Sequence, residues 1–355
     1  VRKLKLVISD LHMHTGARLP DGRRNPFEDF LEDELLIEFL AHFSSGDFAA
    51  DDVELIVNGD FFNLLEIPVD GRATEAITEQ VAVAQMRQIV AGHPEVFAAL
   101  RDFVRRDRKQ LTLIVGNHDA ALLFPGVQKT LRDSVGRHVR IETSWSADGI
   151  LIAHGHQYEF IFNFDMRDYT RRGPDGVELL KLPYGSLFVI QYLRALKQRR
   201  PIIDKVRPFG KYLRWAFWND HFFFWRIVLG VVRFWALNRF SRDPYRRREF
   251  RLSPLRFADA MSHRSLERSA QTILRRTHYR LVTLGHSHKI DYRHLSPDRE
   301  YFNTGSWTEI MSLDIASLGR VYIRPYLRID YVDGAPHATL HNWIGSHRTT
   351  HPLIA

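Results

Sequence analysis

An α/β sandwich is the fold class that this 355-residue sequence predicts. Three observations point to it. Short β-rich apolar runs recur along the chain, at LKLVIS (4–9), VELIV (53–57), LTLIV (111–115), ILIA (150–153) and YRLVTL (279–284). Stretches of helical periodicity separate several of them, which is the strand, helix, strand rhythm of sheets packed on helices. Each run also stops abruptly, and the residues delivered at or just after the stop are Asp, Asn and His.

Taken in order, residues 3–9 form a first buried strand and lead into Asp10-Leu11-His12. Side chains at i and i+2 share a face of an extended chain, so Asp10 and His12 can address one ion. A turn-rich loop, GARLPDGRRNP, follows. Asn25-Pro26 then opens a helical pattern in which Phe27, Leu31, Leu35, Phe39 and Phe43 recur every four residues, with its acidic residues on a solvated face. VELIV ends at Asn58-Gly59-Asp60, and a long helical region runs from about Thr74 to Arg108, broken near Gly92-His93-Pro94. LTLIV stops at Gly116 and delivers Asn117, His118 and Asp119; a helix is expected at 120–134, and ILIA ends at His154. Residues 257–277 read as an amphipathic helix that returns the chain to the strand at 279–284 and to Gly285-His286-Ser287-His288. Strands are expected at 311–316 and 319–325. From Asp333 the chain shows no clear period, and its His337, His341, His347 and His351 are expected to lie on the surface rather than on a metal.

Cysteine is absent, which excludes a disulfide framework, a disulfide-linked partner, a thiolate metal site and a cysteine nucleophile, and fits a reducing compartment. The basic start VRKLKLVISDLH loses its apolar character at Asp10 without a small-residue cleavage site, so no signal peptide is expected and a cytoplasmic location is. The net charge of +8 is concentrated: residues 194–256 hold 17 Lys or Arg against four acids, a local net of +13, leaving −5 for the rest. Within 186–240 aromatics such as Trp215, Trp218, Phe222 and Trp225 alternate with Arg214, Arg226, Arg233 and Arg239. The longest unbroken apolar run there, Ile227 to Val232, is far short of the roughly 20 residues that span a bilayer. The chain therefore divides into a core of 1–160 and 279–332, a helical, basic and aromatic-rich insertion at 161–278, and a C-terminal tail at 333–355. Aromatics at headgroup depth beside snorkelling arginines suit an anionic membrane surface, on the inner face of the membrane. Packing of the aromatics on the core is the second reading of this insertion. Nucleic-acid stacking is the third, set back because Phe222-Phe223-Phe224-Trp225 is too apolar for an exposed stacking platform.

The chemistry comes from collecting the strand ends: Asp10, His12, Asp60, Asn117, His154, His286 and His288. Imidazoles, carboxylates and one amide oxygen suit a borderline or hard divalent ion, Mn²⁺ first with Fe²⁺ and Zn²⁺ as alternatives, and do not suit a structural zinc knot. Two ions are served if one carboxylate bridges them. Asp60 is the natural bridge because it leaves a central strand. Taken singly, each motif also reads as an ordinary turn or a buried histidine; their coincidence at five strand ends favours the metal site.

Asp10-x-His12, Gly59-Asp60, Gly116-Asn117-His118-Asp119, His154 and Gly285-His286-x-His288, in this order, resemble the calcineurin-like metallophosphoesterase superfamily over residues 1–160 and 279–310. The resemblance implies a four-layer αββα sandwich of two mixed β-sheets. It also implies two divalent ions, one held by Asp10, His12, Asp60 and His288 and the other by Asp60, Asn117, His154 and His286, with a metal-bridging hydroxide attacking phosphorus in line. His118 would then sit beside the leaving group, assisted by Asp119. Within the superfamily the sequence is similar to the UDP-2,3-diacylglucosamine pyrophosphatases, through Ser9-Asp10-Leu11-His12, Gly59-Asp60-Phe61-Phe62 and the helical insertion. It departs from them at His118, where they typically carry arginine, and at His156, where they typically carry aspartate. The expected activity is hydrolysis of a phosphoester or pyrophosphate bond in a lipid-linked substrate such as UDP-2,3-diacylglucosamine. A nuclease or soluble nucleotide phosphodiesterase is the alternative, and a non-enzymatic scaffold the more remote one. Asn303 and Ser306 are expected to hold the loop after the last motif, His156 to approach a metal or fix the His154 loop, and Arg18, Arg23 and Arg24 to lie within reach of a substrate anion.

Overall fold

Strands β1 (Lys3–Ile8), β2 (Asp52–Asn58) and β3 (Lys109–Ile114) are buried along almost their whole length in the computed structural model, as parallel strands covered on both faces should be. The structure describes residues 1–69, 71, 74–173, 175–251, 264–315, 318–346 and 352–354. With β4 (Arg140–Glu142) these strands run parallel, and β15 (Pro325–Val332), β16 (Ala335–Asn342) and β17 (Pro352–Ile354) add antiparallel neighbours, giving a seven-stranded mixed sheet in the order β17-β16-β15-β1-β2-β3-β4. A second mixed sheet has the order β11-β12-β10-β6-β5, from β5 (Trp145–Ala147), β6 (Ile150–Ile152), β10 (Leu281–Leu284), β11 (Ile290–Ser296) and β12 (Arg299–Thr304).

Period-two alternation sorts the side chains of the central strands into two layers. Val7, Ile56 and Ile114 meet Ile150, Ile152, Leu281 and Phe302 between the sheets. Their neighbours Leu6, Leu55 and Leu113 face outward to a large cluster shared with α1 (Asp33–His42), α2 (Glu79–Gly92), α3 (Pro94–Arg105) and α4 (Pro125–Val135). On the far side Leu151, Val282 and Leu284 are covered by Leu266, Ala270 and Leu274 of α10 (Arg264–Arg276). The result is the four-layer αββα order.

Three expectations change. The helix predicted from Pro26 begins only at Asp33, and its buried stripe is Leu36, Phe39 and Leu40, while Leu31 is exposed. The reason is tertiary: Glu28 and Asp29, expected on a solvated face, are buried, Glu28 accepting from the backbone of His14 and Gly16 and Asp29 pairing with Lys197 and Lys205. The expected strands at 311–316 and 319–325 are shorter, as β13 (Ile310–Ser312) and β14 (Gly319–Val321), with the main sheet resuming at Pro325. The segment after Asp333 is not a plain tail. Asp333 and Gly334 adopt positive φ in a two-residue hairpin that puts β16 antiparallel to β15. His337 and His341 lie on that strand, whereas His347 and His351 fall outside the described residues. Of the helix expected at 257–277, residues 257–263 also fall outside them.

The insertion packs one side onto the core. Within it β7 (Thr170–Arg172) and β8 (Glu178–Leu180) pair antiparallel, Tyr184, Leu187, Ile190, Phe234 and Phe250 join the main apolar cluster, and β9 (Val206–Arg207) pairs parallel to β13. Its first helix runs without a break from α5 (Tyr184–Phe188) through a π-helical turn, Val189–Leu193, into α6 (Arg194–Lys197). A hairpin of α7 (Phe209–Asn219) and α8 (His221–Arg239) follows, capped at Asp220 by its carboxylate on the Phe223 N–H, and the short α9 (Pro244–Glu249) comes after it. Phe223 and Ile227 of α8 are buried, while Trp215, Trp218, Phe222, Trp225, Leu229 and Phe240 are exposed. Among the described residues no helix is long and apolar enough to cross a membrane.

Candidate metal centre

Because β1, β2 and β3 are parallel neighbours, the loops that follow them leave the same edge of the sheet, and β6 and β10 do the same in the second sheet. The loops are stitched together by backbone hydrogen bonds, Asp10 N–H to the Gly59 carbonyl (3.1 Å), His12 N–H to the Asp60 carbonyl (2.9 Å) and Gly285 N–H to the His154 carbonyl (2.8 Å). Asp10, His12, Asp60, His286 and His288 all have φ between 50° and 65°. Left-handed backbone costs a non-glycine residue roughly 1–2 kcal/mol, and such strain concentrates at functional sites. Gly59 and Gly116 are needed for close approach: a Cβ would lie 2.3 Å from His154 Nδ1 at the first and 2.2 Å from Asp60 Oδ1 at the second.

The predicted strand-end residues meet in one buried constellation. Asp10, His12 and His288 bring potential ligand atoms within 4.8 Å of one another, and Asp60, His154 and His286 do the same. In the first group His12 Nε2 is 3.0 Å from His288 Nε2, and His288 Nε2 is 3.5 Å from Asp10 Oδ1. In the second, His154 Nε2 lies 3.2 Å from both Asp60 Oδ2 and Asn117 Oδ1, which places Asn117 with this group. Asp60 Oδ2 is also 3.7 Å from His12 Nε2, so this carboxylate stands between the groups. His118 forms a third group with His12 and Asp60.

The electrostatics fit a divalent cation. Burial pushes the Asp10 carboxyl up to about 6, and it pushes His12 down to about 3, aided by His118. Burial also opposes ionisation of Asp60, yet His154 and His118 hold it well below the usual carboxylate range. His288 is driven well below the usual imidazole range by burial and by His12. Neutral imidazoles and an ionised bridging carboxylate are the states a metal requires. His154 goes the other way: burial lowers it, but Asp60 and Asp10 raise it to about 10, the pull of two buried carboxylates on any cation placed between them. The donor set, Asp10, His12 and His288 on one side of Asp60 and His154, His286 and the Asn117 amide oxygen on the other, therefore suits two divalent ions.

Around this centre the structure corrects one expected partnership. Asp119 does not reach His118. Its Oδ1 accepts from Gly116 N–H (2.6 Å) and its Oδ2 from Phe61 N–H (2.9 Å), tying the loop after β3 to the loop after β2. Burial and the nearby Asp60 push the Asp119 carboxyl up to about 7. His118 is held instead by Asn63, whose Oδ1 lies 2.9 Å from His118 Nδ1. Glu159, also unforeseen, sits 3.1 Å from His286 Nε2, the carboxylate–histidine arrangement that orients metal ligands. Both residues follow a motif by a few positions, Asn63 after Gly59-Asp60 and Glu159 after His154, and that proximity is the only sequence signal for them. His156 is buried, stacked on Phe164, with neither ring nitrogen hydrogen-bonded. Asn303 Nδ2 donates to the Gly285 carbonyl and Ser306 Oγ to the Asp10 carbonyl, the loop-holding roles expected of them. Arg18 donates to the Gly22 carbonyl and Arg23 pairs with Asp21, contacts internal to their own loop.

A family model described as calcineurin-like phosphoesterase matches residues 5–290. No curated protein matches the chain. Among solved structures, it is similar to a conserved Streptococcus pneumoniae protein described as a predicted phosphoesterase (11% identity, TM-score 0.31, covering 99% of this chain and 98% of that one). It is also similar to vacuolar protein sorting 29 from Cryptosporidium parvum (13%, TM-score 0.32, 100% and 97%) and to a cold-active protein-tyrosine phosphatase from a psychrophilic Shewanella (13%, TM-score 0.32, 99% and 80%).

Proposed function

Since the chain belongs to the calcineurin-like phosphoesterase family, we propose that it is a two-metal hydrolase of a phosphoester or pyrophosphate bond in a lipid-linked substrate, working at an anionic membrane surface. The family and the clusters of ligand-type side chains make it a metallophosphoesterase with sites for two divalent ions. The observation that carries the two-metal reading is Asp60, a buried carboxylate shared between two groups of donors.

On this reading Asp10, His12, Asp60 and His288 hold one ion and Asp60, Asn117, His154 and His286 the other, with Mn²⁺ favoured over Fe²⁺ and Zn²⁺. Bound there, the pair would supply Lewis-acid polarisation of a phosphoryl oxygen and a water of lowered pKa. The chain does the rest. Asp60 sets the spacing of the ligand groups, Asp119 fastens the two loops that carry Asp60 and Asn117, and His118, held at Nδ1 by Asn63, keeps its Nε2 lone pair to take up a proton and hand it to the leaving oxygen.

The lipid part rests on the insertion. Exposed Trp218, Phe222, Trp225 and Leu229 lie in a hairpin with Arg226 and Arg233, and apolar surface of this kind edged by arginine suits headgroup depth in an anionic leaflet. UDP-2,3-diacylglucosamine is the first substrate to try. Metal analysis followed by assays on UDP-2,3-diacylglucosamine, other lipid pyrophosphates, bis-p-nitrophenyl phosphate and single-stranded DNA tests the whole reading. Hydrolysis of a lipid pyrophosphate is expected. Activity confined to DNA overturns the lipid substrate, and inactivity on every substrate with both metals loaded overturns the hydrolase.

A further inference from the structure

The insertion sends one fully buried cation into the core. Lys197, at the end of α6, is 1% exposed, and its Nζ lies 2.8 Å from Asp204, 3.0 Å from Asp29 and 3.3 Å from Glu66 Oε2. The helix is seated by Leu187 and Ile190 in the main core, and Arg194, one turn earlier, donates to the Glu66 carbonyl (2.8 Å). The same Glu66 Oε2 accepts from Asn63 Nδ2 at 2.5 Å, and Asn63 Oδ1 faces His118 Nδ1. Glu66 and Asn63 are both buried, so water does not compete for these contacts.

The chemistry of the three groups leaves one consistent arrangement. An ionised carboxylate only accepts hydrogen bonds, so Glu66 must receive the Asn63 amide N–H. The amide then turns its oxygen to His118, and an oxygen can be met only by Nδ1–H. Neutral His118 is thereby the Nδ1–H tautomer, with its Nε2 lone pair directed away from Asn63. We infer that Lys197 is a positioning residue: by keeping Glu66 an obligate acceptor it fixes the Asn63 amide and, through it, the tautomer of His118. This rests on the reading that His118 serves the reaction. Burial works against ionisation of Glu66, and the charge of Lys197 overcomes it, holding Glu66 below its ordinary range. Without that cation a buried Glu66 takes up a proton and becomes a donor as well. Asn63 is then free to flip, offer NH₂ to the imidazole and admit the Nε2–H tautomer.

The test is ¹⁵N NMR of histidine-labelled protein loaded with diamagnetic Zn²⁺, the His118 signals being assigned by their loss in His118→Gln. The parent is expected to show Nδ1–H. Lys197→Met is expected to move His118 toward Nε2–H and to lower kcat about 10- to 100-fold, the range for loss of an orienting partner, with KM within about twofold of the parent. Glu66→Gln, which exchanges an obligate acceptor for an amide that can also donate, is expected to do the same and decides the matter if Lys197→Met does not fold. An Nε2–H parent overturns the inference. So does an unchanged tautomer in the variants, whatever happens to kcat, because that leaves Lys197 a packing residue only. A tautomer change with unchanged kcat supports the relay and instead overturns the role of His118 in the reaction.

Discussion

His93 and Glu28 form a buried ion pair, with Nε2 of the histidine 3.1 Å from Oε2 of the glutamate. The other ring nitrogen reaches Asp33 at 2.9 Å, and Glu28 itself holds the backbone of His14 and Gly16, directly after Asp10-x-His12. Burial lowers the His93 pKa, but the two carboxylates more than reverse this and raise it from 6.5 to about 9. The folded value exceeds the unfolded one, so the stabilisation is complete below about pH 6.5 and is lost as pH rises through about 9. The linkage amounts to roughly 3 kcal/mol. Denaturant titrations across that window are expected to show the parent losing about this much more stability than His93→Gln. Parallel pH profiles for the two proteins would refute the assignment.

Asp60 stands between both donor groups, so its replacement should remove more than one ligand's worth of function. Asp60→Ala is expected to lose hydrolysis by on the order of 10³-fold, the several kcal/mol that metal-centred charge stabilisation supplies. Elemental analysis should find metal content well below two ions per chain. A variant that keeps both ions and near-parent turnover would remove Asp60 from the centre.

Gly116 has no room for a methyl group, since its Cβ would meet both Oδ1 and the backbone nitrogen of Asp60. Gly116→Ala is expected to weaken metal loading and activity together, at about 1–3 kcal/mol of overpacking cost. Gly22→Ala is the control: its φ of +82° carries a backbone penalty that Gly116 does not, yet nothing lies within 4 Å of its Cβ. Metal titration should separate the two, with Gly22→Ala binding as the parent does.

Trp218 and Phe222 are 73% and 81% exposed, so charging them costs the fold little. Trp218→Glu combined with Phe222→Glu is expected to leave the melting temperature within a few degrees of the parent. It should also cut co-sedimentation with anionic phospholipid vesicles by at least about tenfold, since inserting even one such ring is worth roughly 1.5–3 kcal/mol. Undiminished vesicle binding would move the membrane contact elsewhere or abolish it.

The layer order and the gathering of Asp, Asn and His at the strand ends were legible because burial on both faces makes β1, β2 and β3 continuous apolar runs, and because the loops that follow carry these residues beside a glycine. The Asp333-Gly334 hairpin was not predicted, although Asp-Gly is a two-residue turn sequence, because the weak alternation of a half-exposed β16 hid the strand after it. The acids at 28 and 29 misled because helical spacing says nothing of a partner such as Lys197, 168 residues away from Asp29. Likewise adjacency made Asp119 the natural companion of His118, whereas the carboxylate turns to Gly116 and Phe61 and leaves the imidazole to Asn63. By itself the sequence determined which side chains can bind metal and on which strands they end, since both follow from local pattern. Only the tertiary structure decided which nitrogen of His118 is held and by whom, because that depends on donors and acceptors brought from distant segments into a space that excludes water.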